Sequence, residues 1–267
     1  MPLPDARGED ELVAEVVALE GEASVSVGDA VKAGDTIETK ADSSVELALD
    51  GDFQNIVRID GDSRVKVESI YPSKFYIEEG DVYARLDALP KGSTFELQSP
   101  TAVATVRGTV YRLKHRDGTS EVFNFSGDVE VFTKDESGKL SSEPVRLPPN
   151  QRLEMPLHAQ APKMVSMPPE DVRAGFAFTQ AVDQHRRVFV AEGKKIKAPP
   201  LRDIEKRMNS QNPKPGGQGP QGNAPELQGQ PQQPQGPPQQ GGEGRPRKEP
   251  APEGERKPPP QTGERRR

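Results

Sequence analysis

Phe95-Glu96-Leu97-Gln98-Ser99-Pro100-Thr101-Ala102-Val103-Ala104-Thr105-Val106-Arg107-Gly108-Thr109-Val110-Tyr111 is the stretch whose reading decides the fold. Phe95 and Leu97 flank Glu96, and Ala102, Ala104 and Val106 recur at every second position. A period of two places one set of side chains on a buried face and the other in water, which is the pattern of a half-buried strand. The same pattern runs outward in both directions, from about Leu12 to Met155. Ala23, Val25 and Val27 carry it, then Val45, Leu47 and Leu49, then Val65 and Val67 about Lys66. Phe75 and Ile77 follow, then Val82, Ala84 and Leu86, and finally Val129 and Val131 about Glu130.

Turn formers punctuate these runs: Gly28-Asp29, Gly34-Asp35, Asp50-Gly51, Asp60-Gly61, Glu79-Gly80-Asp81, Lys91-Gly92, Asp117-Gly118, Ser126-Gly127 and Ser137-Gly138. Glycine reaches positive φ at low cost and aspartate tolerates it, so each is read as a turn. Short strands spaced by turns predict an all-β domain, a short-strand β-roll or sandwich, over residues 12–158. Residues 1–11 are expected to be a flexible N-terminus.

Beyond about Pro168 the period lengthens. Pro169 suits a first helical turn, and Glu170 and Asp171 favour its positive end. Val172, Phe176, Thr179 and Val182 follow at helical spacing, with Phe189 continuing the stripe. Gly193 before Lys194 and Lys195 is a stop. A second short helix would place Leu201, Ile204 and Met208 on one face, with Asp203 four residues before Arg207. One or two short helices are thus predicted over 168–209, packed back on the β domain.

From 210 to 267 the chain is rich in Pro, Gln and Gly, and Ala224, Leu227 and Ala251 are its only aliphatic residues. Such a segment buries too little surface to offset the entropy of ordering, so a disordered tail acting as a tether is expected. From Gln211 it carries nine Lys and Arg against six Glu, so the tail is positive and the rest of the chain negative.

Composition excludes several functions. The net charge is −6, which argues against general nucleic-acid binding. There is no cysteine, so disulfide and thiolate chemistry are absent, and there is no tryptophan. The mean hydropathy of −0.79 is too polar for one globular unit of the full length. No stretch is apolar and long enough to span a bilayer as a helix. The first ten residues have neither a positive start nor an apolar core, so no signal peptide is read in the sequence as given.

Candidate chemistry is sparse. Arg107-Gly108-Thr109 could present a guanidinium to a carboxylate or phosphate. The plainer reading is structural: Gly108 permits a bulge or a close approach, and Arg107 satisfies groups at a strand end. On that reading Gly108→Val and Arg107→Ala both lower stability. Asp50-Gly51-Asp52 and Asp60-Gly61-Asp62 would gather four carboxylates, a calcium-like set, if both turns lay at one sheet edge. Hairpin turns account for the aspartates equally well. His115, His158 and His185 lie in unlike segments, with no metal-ligand spacing and no nucleophile elbow nearby. No catalytic residue, cofactor or metal site is expected.

The order of signals resembles a known family. Gly21-Glu22-Ala23-Ser24-Val25 leads to Gly34-Asp35-Thr36-Ile37, then Ser44-Val45-Glu46-Leu47, Asp50-Gly51, and Glu79-Gly80-Asp81-Val82. The run 95–111 follows, and Gly127-Asp128-Val129-Glu130-Val131 and Asn150-Gln151-Arg152-Leu153 close the series. This resembles a FecR domain over roughly residues 15–155. Ser99-Pro100 stands where Thr-Pro is usual, and Asn150 where Gly is common. The resemblance implies a non-enzymatic chain, an extracytoplasmic, periplasmic placement and a binding or regulatory role toward a protein or cell-envelope partner. A structural envelope scaffold, or an accessory domain of an envelope enzyme, are the alternatives. It also implies that Gly34, Asp35, Gly80, Arg107, Gly108, Thr109 and Gly127 are motif positions of the fold rather than ligand contacts.

Overall fold

The computed structural model describes residues 12–157 and 161–211. Expectations for residues 1–11, for His158 and for the tail from 212 onward lie outside the described residues.

The alternating runs form thirteen strands in one sheet. Five short strands come first: β1 (Ala14–Glu20), β2 (Ala30–Val31), β3 (Thr36–Thr39), β4 (Ser44–Ala48) and β5 (Asn55–Asp60). Then come β6 (Ser63–Ser69), β7 (Ser73–Leu86), β8 (Phe95–Gln98), β9 (Ala102–Arg116) and β10 (Thr119–Thr133). The last three are β11 (Val145–Leu147), β12 (Gln151–Pro156) and β13 (Lys163–Ser166). Two helices follow, α1 (Pro169–Ala191) and α2 (Leu201–Gln211). The main path of the sheet is β13-β12-β10-β9-β8-β7-β5-β4-β1-β2, with β11 on β10, and β6 joining β3 to β7. Ile37, Val65, Phe75, Phe95, Tyr111, Val129 and Leu153 meet in one buried cluster. The sheet is therefore rolled around a single apolar core.

The sequence reading of short strands throughout is corrected at three places. Strands β7, β9 and β10 run for 14, 15 and 15 residues. Glu79-Gly80-Asp81 and Ser126-Gly127 are not turns between strands but lie inside these long strands, as does Gly108. Each marks the point where its strand changes neighbours. Before Gly80, β7 pairs with β6 and β8, and from Gly80 onward with β9 and β5. Up to Val106, β9 pairs with β8, and from Val110 with β7. On β10, residues up to Asn124 pair with β12, and residues from Val129 with β11. All three glycines have positive φ: 124° at Gly80, 63° at Gly108 and 80° at Gly127. Side chains rarely tolerate that region, so glycine is what lets each strand bend without breaking.

The bends differ in their surroundings. A Cβ on Gly80 would lie 2.6 Å from the Cα of Ser63. A Cβ on Gly127 would lie 2.7 Å from the carbonyl oxygen of Gly108. At Gly108 the nearest atom is a carbonyl oxygen 3.9 Å away, so only its φ demands glycine. Buried Asn124 fastens the β10 bend. Its side-chain amide donates to the carbonyls of Gly127 at 3.0 Å and Leu147 at 2.7 Å.

Two other expectations change. The run Ala23–Val27 makes only an isolated bridge, Ala23 with Thr39, and Val27 is exposed. The expectation that alternate residues are wet fails on β4, where all five residues are buried, because α1 covers the second face of the sheet. Asp117-Gly118 does form the β9–β10 hairpin turn, with both residues at positive φ. Gly34-Asp35 forms a turn in which the Asp35 carboxylate accepts the Lys32 N–H at 2.9 Å. The Gly34 N–H of that turn donates to Val67 at 2.8 Å.

The Arg107 side chain is exposed and makes no hydrogen bond or ion pair among the described residues, in contrast to the expectation that it satisfies groups at a strand end. It stands opposite exposed Asp128 in the β9–β10 register. Stability should therefore follow the surroundings. In urea unfolding Gly127→Val, which combines strain with overpacking, is expected to lose about 3 kcal/mol or more. Gly108→Val should lose about 1–2 kcal/mol from φ alone. Arg107→Ala should stay within about 0.5 kcal/mol of the parent. A midpoint for Gly108→Val below that of Gly127→Val would contradict this ordering.

Candidate protein interface

The face of the sheet away from the main core carries a row of directly opposed residues. Reading across the strands, Ala18 on β1 faces Glu46 on β4, and Glu46 faces Arg58 on β5. Arg58 faces Tyr83 on β7, Tyr83 faces Arg112 on β9, and Arg112 faces Phe123 on β10. Phe123 faces Arg152 on β12. Cations and rings alternate along the last four strands. The Arg112 guanidinium lies 5.0 Å from the Tyr83 ring centre and 4.6 Å from that of Phe123, and Arg152 lies 5.6 Å from Phe123 on its other side. Such stacks are favourable electrostatically, more so when screened from water.

Helix α1 lies along this row. At its first turn Asp171 accepts from Arg112 at 3.0 Å, with Arg152 at 3.8 Å. In its middle, Phe178 packs on Tyr83 with ring centres 5.2 Å apart. Asp183 accepts from Arg85 at 2.6 Å. Further along, the His185 ring nitrogen and the Glu46 carboxylate are 2.7 Å apart. The spacing fits the geometry. Fourteen helical residues rise ~21 Å, and the four strand spacings from β10 to β4 span ~19 Å. The helix thus crosses the strands rather than running along one.

This path sets which residues of α1 are buried. They are Gly175, Phe178 and Val182; of the expected stripe Val172, Phe176, Thr179, Val182 and Phe189, Val182 is buried and Phe189 half-buried, while Val172 and Phe176 face outward. Phe176 is 64% exposed and Val190 73% exposed, and Val172 and Val188 are also exposed. Anchoring Asp171 over Arg112 and Phe178 over Tyr83 rotates Phe176 outward. Gly175 is small because the Phe125 ring lies where its Cβ would be, 2.3 Å away. At the far end Gly193 adopts φ 61°, and the N–H groups of Gly193 and Lys194 return to the carbonyls of Val190 and Phe189, each at 3.2 Å. The stop expected at Gly193 is thus a Schellman cap. In α2, Ile204 is buried in the main core and Leu201 and Met208 pack against it. Asp203 lies 3.2 Å from Lys206.

Arg112 is the hub of the row. It makes two bonds to Asp81, one at 2.6 Å, and both partners are buried. Burial pulls the guanidinium down, but the Asp81 carboxylate more than offsets it and holds Arg112 above its ordinary value. Burial likewise pushes the Tyr83 hydroxyl up. Beside the C-terminal half of α1 is a cleft of about 380 Å³, lined by Val17, Val27, His185, Val188, Phe189 and Lys195 among others. Its lining mixes those apolar residues with the charged Glu15, Glu192, Lys194 and Lys195, a mixture suited to protein side chains.

The other sequence candidates are dispersed. Asp50-Gly51-Asp52 and Asp60-Gly61-Asp62 lie at opposite ends of β5, so their carboxylates do not gather. Buried Asp50 accepts the N–H groups of Asp52, Gln54 and Asn55 and the Asn55 amide. Burial nevertheless raises its carboxyl. Its loop meets α2: the Gly51 N–H donates to Pro199 at 3.0 Å, and Asp52 accepts the Leu201 N–H at 2.9 Å. Thr109 is buried beside the bends, and its hydroxyl has no partner among the described residues. His115 is buried with Ser120, its ring nitrogen 2.9 Å from the hydroxyl. Ser99 and Thr101 also contact the Ser120 hydroxyl, at 2.7 and 2.5 Å. All three hydroxyls are closed off from solvent, so the cluster joins strands and presents no nucleophile.

Two outcomes follow. Arg112→Met leaves Asp81 buried and unpaired and should cost about 3–5 kcal/mol, whereas Arg85→Ala, whose partner Asp183 is substantially exposed, should cost about 1 kcal/mol or less. Chemical denaturation of both variants checks this. Burial lowers His115 below its ordinary 6.5, opposed by Glu79. The unfolded chain then takes up a proton before the folded one, and stability is lost as pH falls below 6.5. Between about pH 7.5 and about pH 5.5 the parent should lose stability more steeply than His115→Gln. Equal slopes would contradict it.

Comparison with known proteins adds the family. Residues 35–130 match the model of the family described as "FecR protein". No curated protein matches the chain. Two crystal structures of a candidate anti-sigma factor from Parabacteroides distasonis are similar to part of the chain. They share 16% and 15% identity with the chain, each with a TM-score of 0.43, over 52% of this chain and 63% of theirs. The chain therefore spans less than two thirds of those structures. The match begins at Asp35 and takes in the bends at Gly80, Gly108 and Gly127, so over residues 35–130 the rolled sheet is similar to the FecR family.

Proposed function

We propose that this chain is a regulatory, non-catalytic module that binds a protein partner outside the cytoplasm. The observation that carries the reading is the set of exposed apolar residues on α1: Phe176 and Val190 share its outer side, and Val188 lines the cleft with Val17 and Val27. Exposed aromatic and aliphatic side chains next to charged ones are the composition of an interface. The FecR match supports a regulatory role, because the family resemblance implies relay of a signal through protein contacts. The extracytoplasmic placement rests on the same family and on no targeting segment.

The test is in cells that carry the native gene with its upstream region. Cross-linking from a photoreactive residue at position 188 should trap one discrete protein species, and Phe176→Ser with Val190→Ser should reduce its yield at least fivefold. Fractionation should place the chain outside the cytoplasm. Trapping no species from position 188, or a purely cytosolic chain, would overturn the corresponding part of the proposal.

A further inference from the structure

We propose that the row Glu46–Arg58–Tyr83–Arg112–Phe123–Arg152 is a track for an amphipathic helix, that α1 is its resident occupant, and that a partner helix of matching chemistry takes α1's place. This rests on the reading of the chain as a protein-binding module and names the partner's class.

Four observations carry it. First, the track is continuous: its residues are directly opposed on six successive strands, and a helix crosses it at matching spacing. Second, α1 is held lightly for its length. Of its 23 residues only Gly175, Phe178 and Val182 are buried; half-buried Phe189 packs on Phe53, and the other fastenings are polar contacts at Asp171, Thr179, Asp183, His185 and Arg186. Third, the roll stands apart from α1. The main core of the sheet includes Ile204 of α2 but no residue of α1. Val17, Ala48, Phe53, Ile56 and Tyr83 form a separate cluster together with Phe178 and Val182 of α1. Fourth, α1 is bounded by anchors on both sides. The Met167 N–H donates to Asn150 at 3.0 Å, and Lys197 bonds to Glu15 and to the carbonyl of Gly28. These contacts hold the chain on either side of α1 independently of the track.

The occupant defines what fits. Charge complementarity requires a carboxylate over Arg112 and Arg152, an aromatic ring two turns later over Tyr83, and a second carboxylate near Arg85. A donor must face Glu46 at the far end. A small residue is needed where Phe125 closes in. A partner helix therefore reads acid-x-x-x-small-x-x-aromatic, with a further acid five residues on. Because α1 occupies the track in cis, apparent affinity for a partner falls by the fraction of time the track is open.

A labelled peptide of residues 168–194 is the probe, added to the full chain. The host Phe178→Ala, Asp183→Arg weakens the resident helix without touching the track. The peptide is expected to bind this host at least tenfold more tightly than the parent. A peptide with Asp171→Arg and Asp183→Arg should bind at least tenfold more weakly. Equal binding to both hosts, or binding to neither, overturns the proposal. Amide exchange of the parent decides if that host does not fold. Residues 169–191 should exchange through an opening that leaves β7, β9 and β10 protected, and exchange of α1 only together with those strands overturns the proposal. A failed peptide with a partner still trapped from position 188 would refute the track alone. A bound peptide with no trapped partner would refute the interface on α1's outer face instead.

Discussion

The stack of Arg112 between Tyr83 and Phe123 is the contact on which the rest depends. It ties three strands of the sheet, β7, β9 and β10, through side chains as well as through backbone pairing. Through Asp81 it closes a charge pair inside the protein, and through Asp171 it sets the line of α1. A guanidinium can do this because it is flat, permanently charged and able to bond in its plane while stacking above and below it. A lysine at position 112 would keep the charge and lose the geometry. The orientation of α1, and with it the exposure of Phe176 and Val190, is thus a consequence of one side chain on a strand.

The roll has a second dependence, on three glycines at the bends of the longest strands. A sheet of thirteen strands cannot stay open and enclose its own core. Here closure comes from long strands that pair with one set of neighbours at one end and a different set at the other. Gly80, Gly108 and Gly127 mark the changeover, and Asn124 secures one of them by bridging to Gly127 and Leu147. The bends move the strand direction, while the ladder stiffens the face left outside. Shape and rigidity are supplied by different residues.

How much of this was legible in the sequence depends on the range of the interaction. Alternation such as Val45–Leu47–Leu49 is local, and it reported strands correctly. The hairpin at Asp117-Gly118 is local too, and its chemistry is unambiguous. Glu79-Gly80-Asp81 has the same chemistry but a different role. Whether a glycine turns a strand back or only bends it depends on the next pairing partner, which is not a local property. The outer residues Tyr83, Arg85, Arg112 and Arg152 read as a wet face, since nothing near them announces the helix that covers them. The pair His185 and Glu46 is separated by 139 residues, so neither position signals the other. Arg107, in the most recognisable motif of the chain, attracted a partner on paper and has none among the described residues. The arginine that matters lies five residues further on the same strand.

Helix α2 has a mechanical consequence. Its Ile204 is sunk in the main core, its first turn is held by Asp52, and the backbone before it is pinned at Gly51 to Pro199. In chain order α2 stands between α1 and residue 212. Tension applied from that side loads α2 before it reaches α1, and the load passes into the β4–β5 connection rather than along the outer row. The contacts at Ile204, Asp52 and Gly51 thus stand, in chain order, between such a pull and the helix across the sheet.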